Sequence, residues 1–266
     1  MNIKKRSVYI LLVVLAACSP LNKLDKKTKP ALYIIGDSTV KNGTVPGGGG
    51  LWGWGDFIAP HFDTNKISIE NHALGGTSSR TFQTNGRWDR VLNKLKPGDY
   101  VIMQFGHNDG SALDDTARAR GTIKGVGEES KEIYNPIRKV QEVVHTYGWY
   151  MRKFINETKA KGATPIICSP IPRNDWKDGK VTRSTTDGYA LWAEQVAKAE
   201  KIPFINLNDL VATKYEAIGA DAVKRFFPTD HTHTNIDGAK INAQSVVDAI
   251  RQNKALALNK YLLKGK

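Results

Sequence analysis

The sequence has only two cysteines in 266 residues, Cys18 and Cys168. That excludes a fold stapled by disulfides and a zinc site built from cysteines. No apolar run approaches the length of about 18 residues that a membrane-crossing helix needs, and the run at residues 8–17 stops at ten. No internal repeat is visible. Gly 24 and Pro 11 are too few for a collagen-like or low-complexity chain. Acidic residues are scarce: Asp+Glu 26 stand against Lys+Arg 39, a net charge of +13. Such an excess suits a polyanionic partner, either nucleic acid or an acidic polysaccharide. The rest is ordinary for a globular protein, with 40% hydrophobic and 24% charged residues over a length that fits one large domain or two small ones.

Lys4, Lys5 and Arg6 precede the apolar run, which ends in Leu15-Ala16-Ala17-Cys18. A basic start, a short apolar stretch and small residues read as a signal peptide over residues 1–17. Small residues before a cysteine resemble the bacterial lipoprotein processing box, in which the cysteine is lipidated and becomes the new N-terminus. The expectation is a lipidated tether over residues 18–30 and a single domain over 31–266. The protein is then exported and held at a membrane, in the periplasm or on the cell surface. An ordinary secretory signal, with Cys18 incidental, is the alternative. Cleavage removes three positive charges and leaves +10. Export argues against a nucleic-acid partner. Cys168 ends the run Pro165-Ile166-Ile167-Cys168 and reads as a core thiol.

Beyond the tether, short apolar runs alternate with longer helical stretches. Strands are expected at residues 32–35, 67–70, 100–105, 165–168 and 203–207, and helices at 87–95, 149–161, 189–201 and 238–251. This alternation argues for an α/β fold with a parallel sheet and helices on both faces. Residues 110–145 read as a long polar insertion at the carboxyl end of the third strand, where open sheets of this kind place their sites.

Four polar blocks share that address. Gly36-Asp37-Ser38-Thr39 follows the first strand, so Ser38 stands at a strand end, at or near a helix start. Asn71 to Arg80, with Gly75-Gly76, follows the second, and Gly106-His107-Asn108-Asp109 the third. Asp230-His231-Thr232-His233 precedes the last helix. A serine hydroxyl needs a base within hydrogen-bond reach, and an imidazole serves best when a carboxylate fixes its tautomer. Asp230 and His233, three apart, can form that pair. The alternatives are a polar surface loop or a metal site at His231 and His233. Asn108 can donate to an oxyanion, and tandem glycines let a bare N–H approach one. There is no Gly-x-Ser-x-Gly elbow. The glycines at 47–50 read as a flexible loop over the site, with no phosphate-binding lysine-serine pair after them.

The set Gly36-Asp37-Ser38, Gly76, Gly106-x-Asn108 and Asp230-x-x-His233 resembles the four blocks of the SGNH (GDSL) hydrolases. With Trp52-Gly53-Trp54-Gly55 and Phe227-Pro228-Thr229-Asp230 added, it is most similar to the rhamnogalacturonan acetylesterase family. The resemblance implies a three-layer αβα sandwich around a five-stranded parallel sheet, flavodoxin-like in type. It implies Ser38 as nucleophile, His233 as base and Asp230 as its orienter. The oxyanion donors would be the Ser38 and Gly76 N–H groups and the Asn108 side chain. It implies an esterase that removes acetyl groups from an acidic pectic polysaccharide or oligosaccharide, with neither metal nor cofactor. Arg80, His107 and Trp54 are the candidate substrate contacts, Arg80 for a galacturonate carboxylate and Trp54 for a sugar ring. A structural ion pair for Arg80 and core packing for Trp54 are the other roles open to them. Among enzymes the alternatives are an acetylxylan esterase, a lipase or a thioesterase. A carbohydrate-binding lipoprotein on a decayed scaffold would lack a triad member or a donor, and none is missing.

Overall fold

Successive residues of the central strands point to opposite sides, and both sides are apolar. In the first strand, β1 (Ala31–Gly36), Leu32 and Ile34 enter one core while Tyr33 and Ile35 enter another. Such near-continuous apolar strands belong in a sheet covered on both faces, which parallel sheets almost always are. This computed structural model describes residues 29–42, 47–254 and 256–264. The expected signal peptide, Cys18 and nearly all of the tether lie outside the described residues.

The sheet comprises β1, β2 (Ser68–Asn71), β3 (Tyr100–Gln104), β6 (Thr164–Cys168) and β9 (Phe204–Ile205). All pairs are parallel, in the order β2-β1-β3-β6-β9. Two antiparallel hairpins lie outside it: β4 (Ser130–Asn135) with β5 (Val140–His145), and β7 (Trp176–Lys177) with β8 (Lys180–Val181). Helices α1 (Ser79–Thr84), α2 (Arg87–Leu92), α3 (Tyr147–Ala160) and α4 (Tyr189–Ala199) cover one face through Phe82, Trp88, Phe154 and Val196. Helices α5 (Leu207–Ile218), α6 (Ala220–Lys224) and α7 (Ile236–Gln252) cover the other through Val211, Val223 and Val246. The result is the expected αβα sandwich. Chain direction across the sheet reverses between β1 and β3, and the crevice above their carboxyl ends is where such sheets bind ligands.

Three departures from the expected elements have local causes. Residues 110–145 contain the β4–β5 hairpin, whose strands look polar because only Ile133 and Val144 are buried apolar residues while Tyr134, Val140 and Val143 face solvent. One solvated face is normal for an antiparallel pair. The last sheet strand is two residues long because the Asn206 side chain accepts from the Asp209 N–H and starts α5 at once. Residues 48–50 form one exposed 3-10 turn. Cys168 is fully buried in the core, and burial pushes its thiol up and away from reactivity.

Candidate active site

After Gly36 the chain reverses within one turn, with the Asp37 carbonyl accepting from both Val40 and Lys41 N–H at 3.1 Å. No helix starts at Ser38; this turn alone presents it. The fully buried Asp37 carboxylate accepts from the Thr39 N–H at 2.9 Å and the Thr39 hydroxyl at 2.8 Å, and His107 Nδ1 lies 3.3 Å from its other oxygen. Burial pushes the Asp37 carboxyl up, yet the His107 charge and these hydrogen bonds prevail and hold it below the usual range. A side chain on Gly36 would strike Val40 and the Gln104 carbonyl, at 2.5 and 2.6 Å.

The segment Trp52-Gly53-Trp54-Gly55 ties this turn to the distant histidine loop. On one side, Trp54 N–H donates to the Thr39 carbonyl at 3.0 Å and Gly55 N–H to Val40 at 2.9 Å. On the other, Trp52 N–H donates to the Thr234 carbonyl at 2.8 Å, and the Thr234 hydroxyl returns a bond to the Trp52 carbonyl at 3.2 Å. The backbone approach at Gly53 is so close that a Cβ there would lie 2.1 Å from the Val40 carbonyl carbon. Only glycine fits. Thr234 immediately follows His233, and Asn235 then caps α7 by accepting from the Asp237 and Gly238 N–H groups. The imidazole is therefore fixed from both sides.

The outcome is a relay across 195 residues. The Ser38 hydroxyl donates to His233 Nε2 at 2.8 Å, and His233 Nδ1–H donates to an Asp230 carboxylate oxygen at 2.7 Å. The other Asp230 oxygen accepts from the Thr232 and His233 N–H groups, at 2.6 and 2.8 Å. Burial alone would raise the Asp230 carboxyl; the bonds from the His233 ring and the two N–H groups outweigh it and hold the group at about 2. The carboxylate therefore stays charged over any ordinary working pH. Its bond to Nδ1–H leaves the Nε2 lone pair toward the serine.

Ser38 and His233 line a cleft of about 660 Å³ together with Gly76 and Asn108. Gly76 lies in the turn closed by the Thr77 N–H bond to the Leu74 carbonyl, at φ 81°, where a side chain is strained. Neither the Ser38 nor the Gly76 N–H finds an acceptor among the described residues. Asn108 Nδ2 donates one hydrogen to the Thr77 carbonyl at 2.7 Å, which ties the Gly76 loop to the end of β3 and leaves the second hydrogen for the cleft. The glycines at 48–50 do not line this cleft.

Of the three candidate substrate contacts, Trp54 and Arg80 are corrected. Trp54 is fully buried and donates its indole N–H to Gln104 Oε1 at 2.9 Å; Gln104 Nε2 in turn donates to Thr39 Oγ1 at 2.6 Å. It is a core residue supporting the serine turn. Arg80 is fully buried, forks onto Glu142 of β5 at 2.8 and 2.9 Å, and caps the Leu113 and Gly121 carbonyls at 2.8 and 2.9 Å. Four of its five N–H donors are engaged, and full burial keeps the guanidinium from a ligand. His107 is held between Asp37 and, at 3.1 Å, the Ile171 carbonyl. It lines a second cavity of about 420 Å³ that contains no relay side chain. His231 turns to Asp175 and Arg173, at 2.7 and 2.9 Å, so the two histidines of the motif face different partners. The sequence does not single out Gln104, buried beneath the serine turn, or the pair Arg118 and Arg120, which line the cleft. The arginines sit inside the polar insertion, where Ala117-Arg118-Ala119-Arg120 is the only signal.

Residues 34–241 match the model of the GDSL-like lipase/acylhydrolase family. A rhamnogalacturonan acetylesterase of Emericella nidulans is 34% identical, over 88% of this chain and 90% of that protein. A probable rhamnogalacturonan acetylesterase of Bacillus subtilis is 29% identical, over 83% and 92%. Among solved structures, the YxiM protein of Bacillus subtilis matches with a TM-score of 0.69 at 26% identity; the match covers 86% of this chain and 58% of that larger protein. An acetylxylan esterase of Geobacillus stearothermophilus shares the fold, with a TM-score of 0.53 at 20% identity over 83% of this chain and 94% of that one. The chain belongs to the GDSL-like lipase/acylhydrolase family and is, with it, a carboxylic ester hydrolase.

Proposed function

We propose that the protein is a serine esterase that removes acetyl groups from a pectic polysaccharide, with acetylated rhamnogalacturonan as its substrate. The observation that carries this reading is the Ser38–His233–Asp230 relay opening onto a cleft beside two unengaged N–H groups. The acetylesterase relatives support the substrate, and so does the net charge of +10 left after cleavage before Cys18, which suits an acidic polymer.

In this mechanism Ser38 Oγ attacks the acetyl carbonyl carbon while His233 Nε2 takes the hydroxyl proton. The Ser38 and Gly76 N–H groups and the free Asn108 amide hydrogen hold the oxyanion, each such donor being worth about 10²–10³ in kcat. Collapse releases the sugar hydroxyl, which takes the proton back from Nε2, and leaves acetyl-Ser38. Water then gives a proton to His233 and attacks the acetyl group, and acetate departs as Ser38 recovers its hydrogen.

Acetate release from acetylated rhamnogalacturonan, acetylated xylan and longer acyl esters, compared side by side, tests the substrate. The expected result is a preference for the first, abolished by Ser38→Ala with the fold retained. Equal or better turnover of xylan or long acyl esters overturns it. Export and lipidation at Cys18 belong to the same proposal. Wild-type protein should partition with membranes and Cys18→Ala should not.

A further inference from the structure

The cleft that holds Ser38 and His233 is lined by two guanidiniums and by no carboxylate. A Cβ placed on Gly76 would lie 3.8 Å from Arg118 Nη1 and 4.0 Å from Arg120 Nη1, so both cations flank the glycine beside the serine. Arg120 is committed to the protein: it donates to the Gly76 carbonyl at 3.1 Å and to the Ser111 hydroxyl at 3.1 Å. Arg118 is not. Its side chain is exposed and makes no hydrogen bond or ion pair among the described residues. Burial, and next the charge of Arg118, lower the Arg120 guanidinium, as expected of two like charges held together.

The loop that carries them is built rather than slack. The Asp115 carboxylate accepts from three successive backbone N–H groups, those of Ala117 at 3.0 Å, Arg118 at 2.7 Å and Ala119 at 3.0 Å. Ala119 is buried at φ 42°, a left-handed conformation that a non-glycine residue adopts only when its surroundings impose it. The loop's two shoulders, the carbonyls of Leu113 and Gly121, are both capped by buried Arg80. The neutralised arginine thus holds in place the one that is not.

Resting on the esterase reading above, we infer that Arg118 is a specificity-determining residue that binds the carboxylate of a uronic acid residue in the acetylated substrate, with Arg120 holding Gly76 beside it. The chemistry is direct. A planar fork matches a carboxylate with two parallel N–H···O bonds, which neither a neutral xylan nor a lipid acyl chain can offer. Sitting next to Gly76, the fork engages an acid group on the sugar that bears the reacting acetyl or on its neighbour.

The test compares kcat/KM on an acetylated rhamnogalacturonan oligosaccharide with kcat/KM on the same oligosaccharide after reduction of its carboxyl groups to alcohols. p-Nitrophenyl acetate reports the basal chemistry of the wild type. Wild-type protein should prefer the acid form by about tenfold or more at low salt. Arg118→Gln should abolish that preference through KM, and Arg118→Lys should restore part of it. Equal wild-type turnover of the acid and reduced forms overturns the inference and leaves the esterase reading standing. So does a fall in Arg118→Gln that is the same on both forms. A wild type that hydrolyses neither p-nitrophenyl acetate nor either oligosaccharide overturns the esterase reading, and the inference with it.

Discussion

His233 with Asp230 and His107 with Asp37 are both imidazole–carboxylate pairs, and both bear on the turn that carries Ser38. They differ in what lies on the ring's second nitrogen. His233 Nε2 accepts from a hydroxyl, whereas His107 Nε2 lies against the Ile171 carbonyl, itself an acceptor. A base needs a lone pair to offer, and a ring that donates from both nitrogens has none. The pairs also differ in access. His233 and Asp230 side chains are 28% and 42% exposed, and those of His107 and Asp37 are 6% and 0%. A carboxylate beside an imidazole therefore does not by itself make a catalytic group; the partner on the remaining nitrogen decides. The arginines repeat the lesson, since Arg80 is buried against Glu142 and Arg118 is open.

The largest expected effect breaks the histidine comparison directly. His233→Gln should lower kcat by about 10⁴-fold or more, the range seen when a relay loses its base. His107→Gln should leave kcat within about tenfold of wild type and instead cost about 1–3 kcal/mol of stability, because Asp37 keeps its burial and loses a partner. Comparable falls in kcat would show that both rings take part in the chemistry.

For the arginines the measure is urea denaturation. Arg80→Ala leaves Glu142 with only Asn135 and Arg138 as partners and two carbonyls unpaired, and should cost about 2–5 kcal/mol. A loss below about 1 kcal/mol would mean that the hairpin is held by other contacts.

A third test sets two carboxylates against each other. Burial pushes the fully buried Asp109 up to about 7, aided by the charge of Asp37 and opposed by bonds from the Ser79 hydroxyl and N–H and the Gly106 N–H. Its folded value is raised above the unfolded one, so the native state binds the extra proton between about pH 4 and 7 and stability falls as pH rises through that window. Asp230 is depressed, so its contribution is present above about pH 4 and is lost as pH falls toward 2. Thermal melts of Asp109→Asn should accordingly decline less between pH 5 and 8 than those of wild type. An identical decline would remove Asp109 as the source. The smallest effect belongs to Arg118→Gln, which should change the unfolding free energy by less than about 0.5 kcal/mol because that exposed side chain makes no hydrogen bond or ion pair among the described residues.

Much of this was legible before any coordinates. The strands β1, β3 and β6 announce themselves because apolar runs with both faces buried are hard to mistake, whereas β2, Ser68-Ile69-Glu70-Asn71, is a half-buried edge strand with a weaker pattern; α7 follows the spacing of Ile241, Val246, Val247 and Ile250. The meeting of Ser38, His233 and Asp230 was legible because Ser38 and the Asp230–His233 pair lie where chain order and strand ends place them. The β4–β5 hairpin was hidden because its outward face is solvated and its turn begins at Asn135-Pro136 rather than at a glycine pair. The roles of Arg80 and Trp54 were unreadable for another reason. Whether a guanidinium meets Glu142 or a ligand depends on which loop folds over it, a long-range fact that no local pattern carries.

The stretch from Trp52 to Gly55 bears on how the protein would wear out. Three amide hydrogens, those of Trp52, Trp54 and Gly55, are the rivets between the serine's turn and the imidazole's loop. Heat inactivation need not wait for the sheet to melt. Once these amides exchange freely with solvent, hydroxyl and imidazole drift apart while most of the secondary structure persists.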